Sequence, residues 1–311
     1  MAFERYEEQV RLLVQTLPVV AAHHCFALKG GTALNLFLRD MPRLSVDIDL
    51  VYLPINPRND ALAEARAALD TICTSVSNGA VPNARADVSG NRPDALRAIV
   101  RRAQTQIKVE LSPVLRGTVA PPRNLPIATG AADRFGYVAM PVAASVDLYG
   151  GKICAALDRQ HPRDLFDMKL LLDEEDLTRE VVEDFLVYLI SHNRPIHELL
   201  APRFGNIRQT FIDQFRGMTR EPVQVEELEQ ARESLLARLR DILTPADCGF
   251  LVSVKQGEPD WSHLPFAHVR DLPGVRWKQR NIHAMKPVTW NRNVEALKQV
   301  LAEHYDYREA K

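Results

Sequence analysis

The sequence lacks any long hydrophobic run. No stretch approaches the roughly 18–20 apolar residues that cross a bilayer. The N-terminal segment MAFERYEEQVRLLV mixes charges of both signs through its apolar positions, which is not typical of a signal peptide. We therefore expect a cytoplasmic protein with no membrane segment.

Cysteine is scarce and scattered, with four residues in a chain of 311. They form no C-x-x-C pair and have no histidine at zinc spacing, which argues against a zinc site and against a disulfide framework. We expect them to be small buried side chains: Cys25, Cys73, Cys154 and Cys248. His23 and His24 are adjacent and cannot share one helix face, so a metal role for them is disfavoured.

An excess of charge of either sign is also absent, since the formal net charge is −1. The chain as a whole is therefore not a polyanion-binding protein, but a local patch can still bind nucleic acid. Residues 263–290 carry five basic residues against one acid: Arg270, Arg276, Lys278, Arg280, Lys286 and Asp271. Together with Trp277 and Trp290 this segment could hold RNA, although ordinary core tryptophans beside solvated cations are the favoured interpretation.

The first part of the chain alternates helical and strand patterns. Helical spacing of apolar residues predicts helices over 3–22, 32–40 and 61–72. Alternating or short apolar runs predict strands over 25–30, 46–54 and 104–113. Residues 75–93 are predicted to be loop or edge structure, and 119–130 a proline-rich break.

Beyond this break the pattern becomes almost entirely helical, up to about residue 243. Predicted helices cover 142–158, 162–173, 178–191 and 225–243. We assign residues 1–136 to an α/β domain and residues 137–311 to a mainly helical domain, which makes the protein α+β. Residues 244–290 receive no secondary-structure prediction.

Two carboxylates stand out in the second predicted strand. Asp47 and Asp49 are two residues apart, so their side chains point to the same face of the strand. Paired carboxylates repel one another unless a cation lies between them, and Mg²⁺ typically binds one or two carboxylates plus substrate phosphates. This strand is therefore a candidate cradle for the ions of a phosphoryl-transfer site.

Glu110 is the natural candidate for a third carboxylate, because it lies on the polar face of the strand over 104–113. It would bind a metal ion near the attacking hydroxyl or serve as the base. In the alternative interpretation, Glu110 is a solvated side chain paired with Lys108 or Arg101.

Gly30 and Gly31 lie between the first strand and a helix predicted to begin at Thr32. Glycine lets the backbone approach a phosphate closely, and the N–H groups at a helix start, with the Thr32 hydroxyl, favour its negative charge. A Gly-Gly turn alone is weak evidence. The D-x-D strand that follows after one helix strengthens it.

The segment LKGGTALNLFLRDMPRLSVDIDLVYL resembles the signature of nucleotidyltransferases of DNA polymerase β type. More narrowly, it resembles the AbiEii/AbiGii toxin family of bacterial abortive-infection and toxin–antitoxin systems, through G-G-T-A-L at residues 30–34 and R-x-S-x-D-x-D-L at residues 43–50. The gap between Gly31 and Asp47 is longer than in the plain polymerase β pattern but fits the toxin family. Lys108-Val109-Glu110 fits its third-carboxylate position. The resemblance implies a nucleotidyltransferase fold, with a mixed sheet flanked by helices, in the N-terminal domain.

A second cluster of charged residues follows in residues 142–173. By spacing, Lys152 and Arg159 share one helix face, and Asp164 and Asp167 lie three apart on the next helix. A surface helix pair joined by salt bridges would explain this pattern. The family, however, carries a helical lysine followed by R-x-x-x-R-D-x-x-D, which these residues match with Arg163. Gly150-Gly151, just before Lys152, predicts a possible kink in the helix.

The resemblance implies a role for each matching residue. It assigns the metal ions, Mg²⁺ or Mn²⁺, to Asp47, Asp49 and Glu110. It implies that Lys152 contacts the nucleotide triphosphate and that Asp164 or Asp167 helps to organise the catalytic site. The predicted nucleotide-binding set is Gly30, Gly31, Thr32, Arg43, Ser45, Lys152 and Arg159. The helical domain is expected to complete the active-site cleft.

The implied function is transfer of a nucleoside monophosphate from an NTP to an acceptor hydroxyl, with pyrophosphate released. The resemblance suggests an RNA 3′ end, especially tRNA, as the acceptor and a separately encoded antitoxin as a partner. Transfer to a protein side chain is an alternative. A catalytically silent nucleotide-binding protein is disfavoured because all three carboxylates and the lysine are present. A general RNA-binding module is disfavoured by the net charge and by the two central acids. The preferred NTP and the oligomeric state stay open.

Overall fold

A computed structural model of the chain describes residues 2–90 and 94–307. The chain divides into two compact units, Met1–Leu148 with Phe215–Val223, and Tyr149–Gln214 with Gln224–Lys311. They are called the first and second unit below. The assignment of 1–136 and 137–311 as the two functional domains stays a prediction.

The first unit contains a seven-stranded mixed sheet. Its strands are β1 (Phe26–Lys29), β2 (Asp47–Tyr52), β3 (Arg85–Val88), β4 (Arg97–Arg102), β5 (Thr105–Leu111), β6 (Arg123–Pro126) and β7 (Ala139–Val142). Their order across the sheet is β3-β4-β5-β2-β1-β7-β6. The β2–β5 and β1–β7 pairs are parallel and the other neighbours are antiparallel.

Helices cover one face of this sheet. Those of the first unit are α1 (Ala2–Ala21), α2 (Gly30–Ala33), α3 (Arg58–Ser75) and α4 (Thr129–Phe135), with π-helical turns at Leu34–Leu38 and Val76–Ala80. Arg102 of β4 donates a hydrogen bond to Gln15 of α1, and Tyr52 of β2 donates one to Glu64 of α3. Since side chains alternate along a strand, Asp47 and Asp49 lie on the opposite side of β2 from Tyr52 and face away from α1 and α3.

Among the residues that the structure describes, the second unit contains helices and connecting loops but no strand. Helix α5 (Ser145–Arg159) leads into it from the first unit. The helices that follow are α6 (Pro162–Glu174), α7 (Arg179–Ser191), α8 (Ile196–Leu200), α9 (Arg208–Gln214), α10 (Val225–Ile242), α11 (Pro245–Gln256), α12 (Pro273–His283) and α13 (Pro287–His304). The predicted α+β class, a mixed sheet flanked by helices followed by a mainly helical part, is confirmed. Within the described residues, no helix combines the length and apolarity needed to cross a membrane.

Several local predictions need correction. The helix predicted over 32–40 begins at Gly30 and becomes π-helical at Leu34–Leu38. The predicted proline-rich break contains β6 and the start of α4. The predicted kink at Gly150-Gly151 is absent, because α5 runs unbroken through both glycines.

Candidate active site

Strand β2 presents Asp47 and Asp49 on the sheet face that the helices leave open. Both side chains are half-buried. Ile48, which lies between them, and Leu50, which follows Asp49, are fully buried in the core. The alternation expected of a half-buried strand therefore places the two carboxylates side by side in the same surface. It confirms the predicted orientation of the D-x-D motif.

Strand β5 brings Glu110 to the same place. It pairs with β2 in parallel, with Asp47 opposite Lys108 and Asp49 opposite Glu110. Residues directly opposite one another in a sheet project to the same face, so Glu110 neighbours Asp49 on the open face. On the other side of β2, Lys29 of β1 lies opposite Asp49. The sequence prediction did not include Lys29, although it directly precedes the two glycines.

The turn after β1 packs directly against Asp49. Gly30 has φ +69, a left-handed conformation that glycine adopts without strain. A Cβ atom at this position would lie 2.3 Å from Asp49 Oδ2 and 2.9 Å from Asp49 Cβ. Gly30 is therefore required both by its backbone angle and by the approach of the turn to Asp49.

Gly31 makes a similar close approach to two other predicted residues. A Cβ atom here would lie 2.7 Å from Arg43 Nη2 and 3.1 Å from Ser45 Oγ. Arg43 is 2% exposed, and its Nη1 donates to the Leu44 carbonyl at 3.0 Å. Leu44 N–H donates in turn to the Met218 carbonyl at 2.8 Å, which fastens the segment Phe215–Val223 to the same unit. Arg43 and Ser45 thus lie beneath the turn.

Hydrogen bonds join the turn to β2. Thr32 is fully buried, and its hydroxyl donates to the Asp47 carbonyl at 2.5 Å and lies 3.0 Å from the Ser45 hydroxyl. Asn35, also fully buried, donates from Nδ2 to the Gly31 carbonyl at 2.9 Å. Asn35 was missed because a single asparagine within an apolar helical pattern gives no functional signal. The predicted contact of Thr32 with a nucleotide stays a prediction.

Glu110 forms an ion pair with Arg97. Arg97 lies directly opposite Glu110 in the neighbouring strand β4. The partners suggested from the sequence alone, Lys108 and Arg101, are wrong. Arg101 instead pairs with Asp87 at 3.1 Å.

The residues suit a divalent cation by their chemistry and by their register. Three carboxylates on neighbouring strand positions are the oxygen donors that Mg²⁺ and Mn²⁺ prefer. In the described part of the chain, however, no group of three or more Asp, Glu, His or Cys side chains is arranged so that it could hold a metal ion. The Glu110 carboxylate would have to turn from Arg97 to join the two aspartates.

The second unit contains a buried ionic cluster at the helical motif. Lys152 Nζ lies 3.0 Å from Asp164 Oδ1 and 3.0 Å from Asp167 Oδ2. The three side chains are 7%, 1% and 3% exposed, respectively. The surface salt-bridge interpretation is therefore wrong for these three residues.

Arg159 closes the cluster on its outer side. It is 63% exposed and binds Asp164 through Nε at 2.5 Å and Nη2 at 3.0 Å. Burial would raise the pKa of Asp164, but the charges of Lys152 and Arg159 outweigh it and hold this pKa below its usual range. Asp164 is thus a charged, fully paired carboxylate. Helix α6 begins beside it at Pro162, with the His161 side chain accepting from the Arg163 N–H at 3.1 Å.

Of the two glycines before Lys152, Gly150 has a packing role. A Cβ atom on Gly150 would lie 2.9 Å from the Phe185 backbone nitrogen of α7. A Cβ atom on Gly151 would meet the Tyr188 ring at 3.4 Å, an ordinary contact. Gly150 therefore allows α7 to approach α5 closely, whereas the position of Gly151 has room for a Cβ atom.

Comparison with known proteins agrees with the motifs. Residues 11–271 match the model of a family described as nucleotidyl transferase AbiEii toxin, type IV TA system. No curated protein matches the chain. Among solved structures, the chain is similar to MenT4, a nucleotidyltransferase toxin from Mycobacterium tuberculosis H37Rv, with a TM-score of 0.59 and 15% identity over 96% of this chain and 95% of that one. At this level of identity the likeness establishes a shared fold.

Proposed function

From the premise that the chain belongs to the AbiEii family, and is a nucleotidyltransferase toxin of a type IV toxin–antitoxin system, we propose that it transfers a nucleoside monophosphate to an acceptor hydroxyl. The hydroxyl oxygen attacks the α-phosphorus of an NTP. The bond from that phosphorus to the bridging oxygen breaks, pyrophosphate leaves, and the hydroxyl proton passes to a base. Glu110 is the proposed base if it is not occupied as a metal ligand.

The observation that carries this proposal is the fit of the Gly30 turn against the Asp49 carboxylate. The turn lies so close that one added carbon would strike an Asp49 oxygen. Asp47 lies on the same face, and the Thr32 hydroxyl fastens its carbonyl to the turn. A backbone turn beside paired carboxylates offers phosphate groups N–H donors on one side and metal ligands on the other.

The proposed cofactor is Mg²⁺ or Mn²⁺, held by Asp47, Asp49 and Glu110. Nucleotidyltransferases of this kind generally use divalent metals, which neutralise charge on the reacting phosphate and on the leaving group. Gly30 and Gly31 are proposed to approach the phosphates, with Thr32, Arg43 and Ser45 holding the turn in place. These assignments are supported by the contacts among the side chains and by the family motif.

The nucleotide contacts proposed for the second cluster rest on the family motif. Lys152 is proposed to contact the triphosphate, Arg159 to assist it, and Asp164 and Asp167 to hold the lysine in place. The buried ion pairs support the positioning part of this proposal, since both carboxylates contact the ammonium at 3.0 Å.

The proposed acceptor is an RNA 3′ end, tRNA above all, and the alternative acceptor is a protein side chain. The family implies an NTP substrate and an antitoxin partner. We propose that the antitoxin is separately encoded and that both proteins act in the cytoplasm.

One experiment tests the proposed reaction and distinguishes an RNA acceptor from a protein acceptor. The purified protein is incubated with Mg²⁺, each of the four NTPs labelled at the α-phosphate, and a bacterial extract that contains RNA and protein. We expect label that ribonuclease removes and protease does not. Label removed by protease alone would select the protein acceptor, and no label on any acceptor would contradict nucleotidyl transfer.

A further inference from the structure

The open face of the sheet continues outward from the carboxylates to the edge strand β3. Along β4 and β5 the apolar side chains Ala98, Val100, Ile107 and Val109 are buried on the helix-covered face. The alternate positions on the open face carry four cations: Arg85, Arg97, Arg101 and Lys108. We call these four residues the basic face. All three arginines are exposed, and Lys108 is half-buried.

The strand register makes the basic face continuous with the carboxylates. Arg85 lies opposite Arg101, and Arg97 lies opposite Glu110, which is itself opposite Asp49. Neighbouring strands lie about 4.8 Å apart, so Arg97 is roughly 10 Å from Asp49 across the sheet. The positive charges thus begin at the candidate catalytic position and extend away from it.

Three acids lie beside the basic face. Asp87 and Glu110 are each bound by an arginine, and Asp47 lies opposite Lys108 in the strand register. Arg85 and Lys108 form no ion pair among residues 2–90 and 94–307. Two cations are therefore available in a chain whose formal net charge is −1.

The side chains that surround these cations favour contact with a phosphate backbone. The remaining open positions on β3, β4 and β5 are Asp87, Ile99 and Gln106, and none of them is aromatic. Binding of single strands through base stacking needs aromatic side chains. A basic face without them can bind phosphates but has little means of reading bases.

We propose that the basic face binds the sugar–phosphate backbone of a single-stranded RNA acceptor and leads its 3′ end towards Asp47 and Asp49. This inference rests on the proposed nucleotidyl transfer and adds the surface that holds the acceptor. It predicts recognition with little dependence on base sequence near the 3′ end.

The other basic segment, residues 263–290, offers four exposed cations, because the fifth is buried. Lys278, one of the five cations counted in residues 263–290, is 5% exposed, and its Nζ donates to the Arg194 carbonyl at 2.9 Å and to the His192 carbonyl. Its ammonium thus binds carbonyls just beyond the end of α7. Burial lowers the pKa of Lys278 to about 8, which fits an internal position.

The test measures binding of a fluorescent single-stranded RNA, without NTP, over a range of salt concentrations. The variants are Arg85→Gln, Lys108→Gln and the double variant. Arg85→Lys keeps the charge, and Arg123→Gln removes an exposed arginine from β6 at the opposite edge of the sheet. Unfolding curves of all variants identify any loss of folding.

Each lost phosphate contact should reduce the magnitude of the slope of log affinity against log salt by about 0.7. For the double variant this magnitude should therefore be smaller than that of the wild type by about 1.4. The KM for the RNA acceptor should rise in parallel. Arg85→Lys and Arg123→Gln should keep the wild-type slope. Equal slopes in wild type and double variant, or an equal loss in Arg123→Gln, would overturn the proposed surface.

The same proteins distinguish this inference from the proposed function. If the wild type labels RNA and the double variant has unchanged RNA affinity and KM, the basic face is overturned while nucleotidyl transfer stands. If label goes to protein and not to RNA, the RNA surface is overturned although transfer again stands. If no transfer is detected, the proposed function itself is contradicted. The basic face is then still tested by comparing how steeply the RNA affinity of wild type and double variant falls with salt.

Discussion

A single glycine governs the geometry around Asp49. Gly30 has φ +69, and a Cβ atom added at this position would lie 2.3 Å from Asp49 Oδ2. We predict that Gly30→Ala abolishes transfer, because the new methyl group must displace either the turn or the carboxylate. The backbone strain should lower the free energy of unfolding by about 1–3 kcal/mol. Transfer assays and urea denaturation measure the two effects.

Gly79 provides the matched control for this prediction. It has φ +102, but a Cβ atom there would meet nothing within 4 Å. Gly79→Ala should therefore cost about 1–2 kcal/mol of stability through the backbone alone and leave the folded enzyme active. Equal loss of transfer in both variants would show that instability, not the contact with Asp49, is responsible.

If Glu110 is a metal ligand as proposed, Arg97 competes with the ion for its carboxylate. The Arg97 side chain is 52% exposed, so its ion pair with Glu110 is worth no more than about 1 kcal/mol. We predict that Arg97→Gln tightens Mn²⁺ binding by up to roughly fivefold, since Glu110 is released and a nearby positive charge is removed. Electron paramagnetic resonance of free Mn²⁺ measures this without turnover. Weaker Mn²⁺ binding in the variant would mean that Arg97 holds Glu110 in place for the metal.

Lys152 has a structural role that any activity test must take into account. Lys152→Met leaves two buried carboxylates without their shared ammonium, which should cost about 3–5 kcal/mol of folding stability. Lys169→Met removes a lysine that pairs at the surface with Asp173 at 2.7 Å, and should cost less than about 1 kcal/mol. Chemical denaturation of both variants checks the difference. Near-equal losses would contradict a structural role for the buried pairs.

The same cluster should make folding sensitive to acid. The folded-state pKa of Asp164 lies below its unfolded value of about 3.9, so its contribution is complete above that pH and is lost as the pH falls through the folded-state pKa. The stability of the wild type should therefore decrease below about pH 4, and that of Asp164→Asn should decrease less.

Among the secondary-structure elements, the strands that were not predicted are those whose residues also favour loops or turns. Strand β4 carries three arginines, and its two-residue connection to β5, Ala103-Gln104, contains no glycine or asparagine although Ala103 has φ +51. Because β4 was not predicted, neither was the Arg97–Glu110 ion pair. Strands β6 and β7 contain Pro126 and Pro141, which count against a strand.

Elements with a regular period were predicted well. The strands at β1, β2 and β5 and the helices α1, α3, α6 and α7 agree with the sequence patterns to within a few residues. The π-helical turn at Leu34–Leu38 could not be foreseen, since an apolar run favours α- and π-helix alike. Such turns are frequent near functional sites.

Helices α5 and α7 provide a test of close packing in the second unit. Gly150→Ala places a carbon 2.9 Å from the Phe185 backbone nitrogen and should cost about 1–3 kcal/mol. Gly151→Ala meets the Tyr188 ring at 3.4 Å and should be neutral or stabilising by up to about 1 kcal/mol, through helix propensity. Thermal unfolding compares the two. Similar effects at both positions would contradict the close approach.

At the scale of the whole molecule, the family could be predicted because its motifs lie close together in the sequence. Residues 30–50 hold the glycine turn and both aspartates, and the family match extends over 11–271. The side-chain partners could not be predicted, because they join strands or helices distant in sequence. Arg97 with Glu110, and Thr32 with the Asp47 carbonyl, are examples.

The central claim is that Asp49, beside the glycine turn, is required for nucleotidyl transfer. The direct measurement is transfer of α-labelled NMP and release of pyrophosphate by the wild type, Asp49→Asn and Asp133→Asn, with Mg²⁺ and total bacterial RNA. Asp133 is an exposed carboxylate on α4 and serves as the control. We predict that Asp49→Asn folds but transfers nothing, because a site that loses a metal ligand loses both charge neutralisation and geometry, while Asp133→Asn matches the wild type. A folded Asp49→Asn protein with near-native turnover would contradict the account.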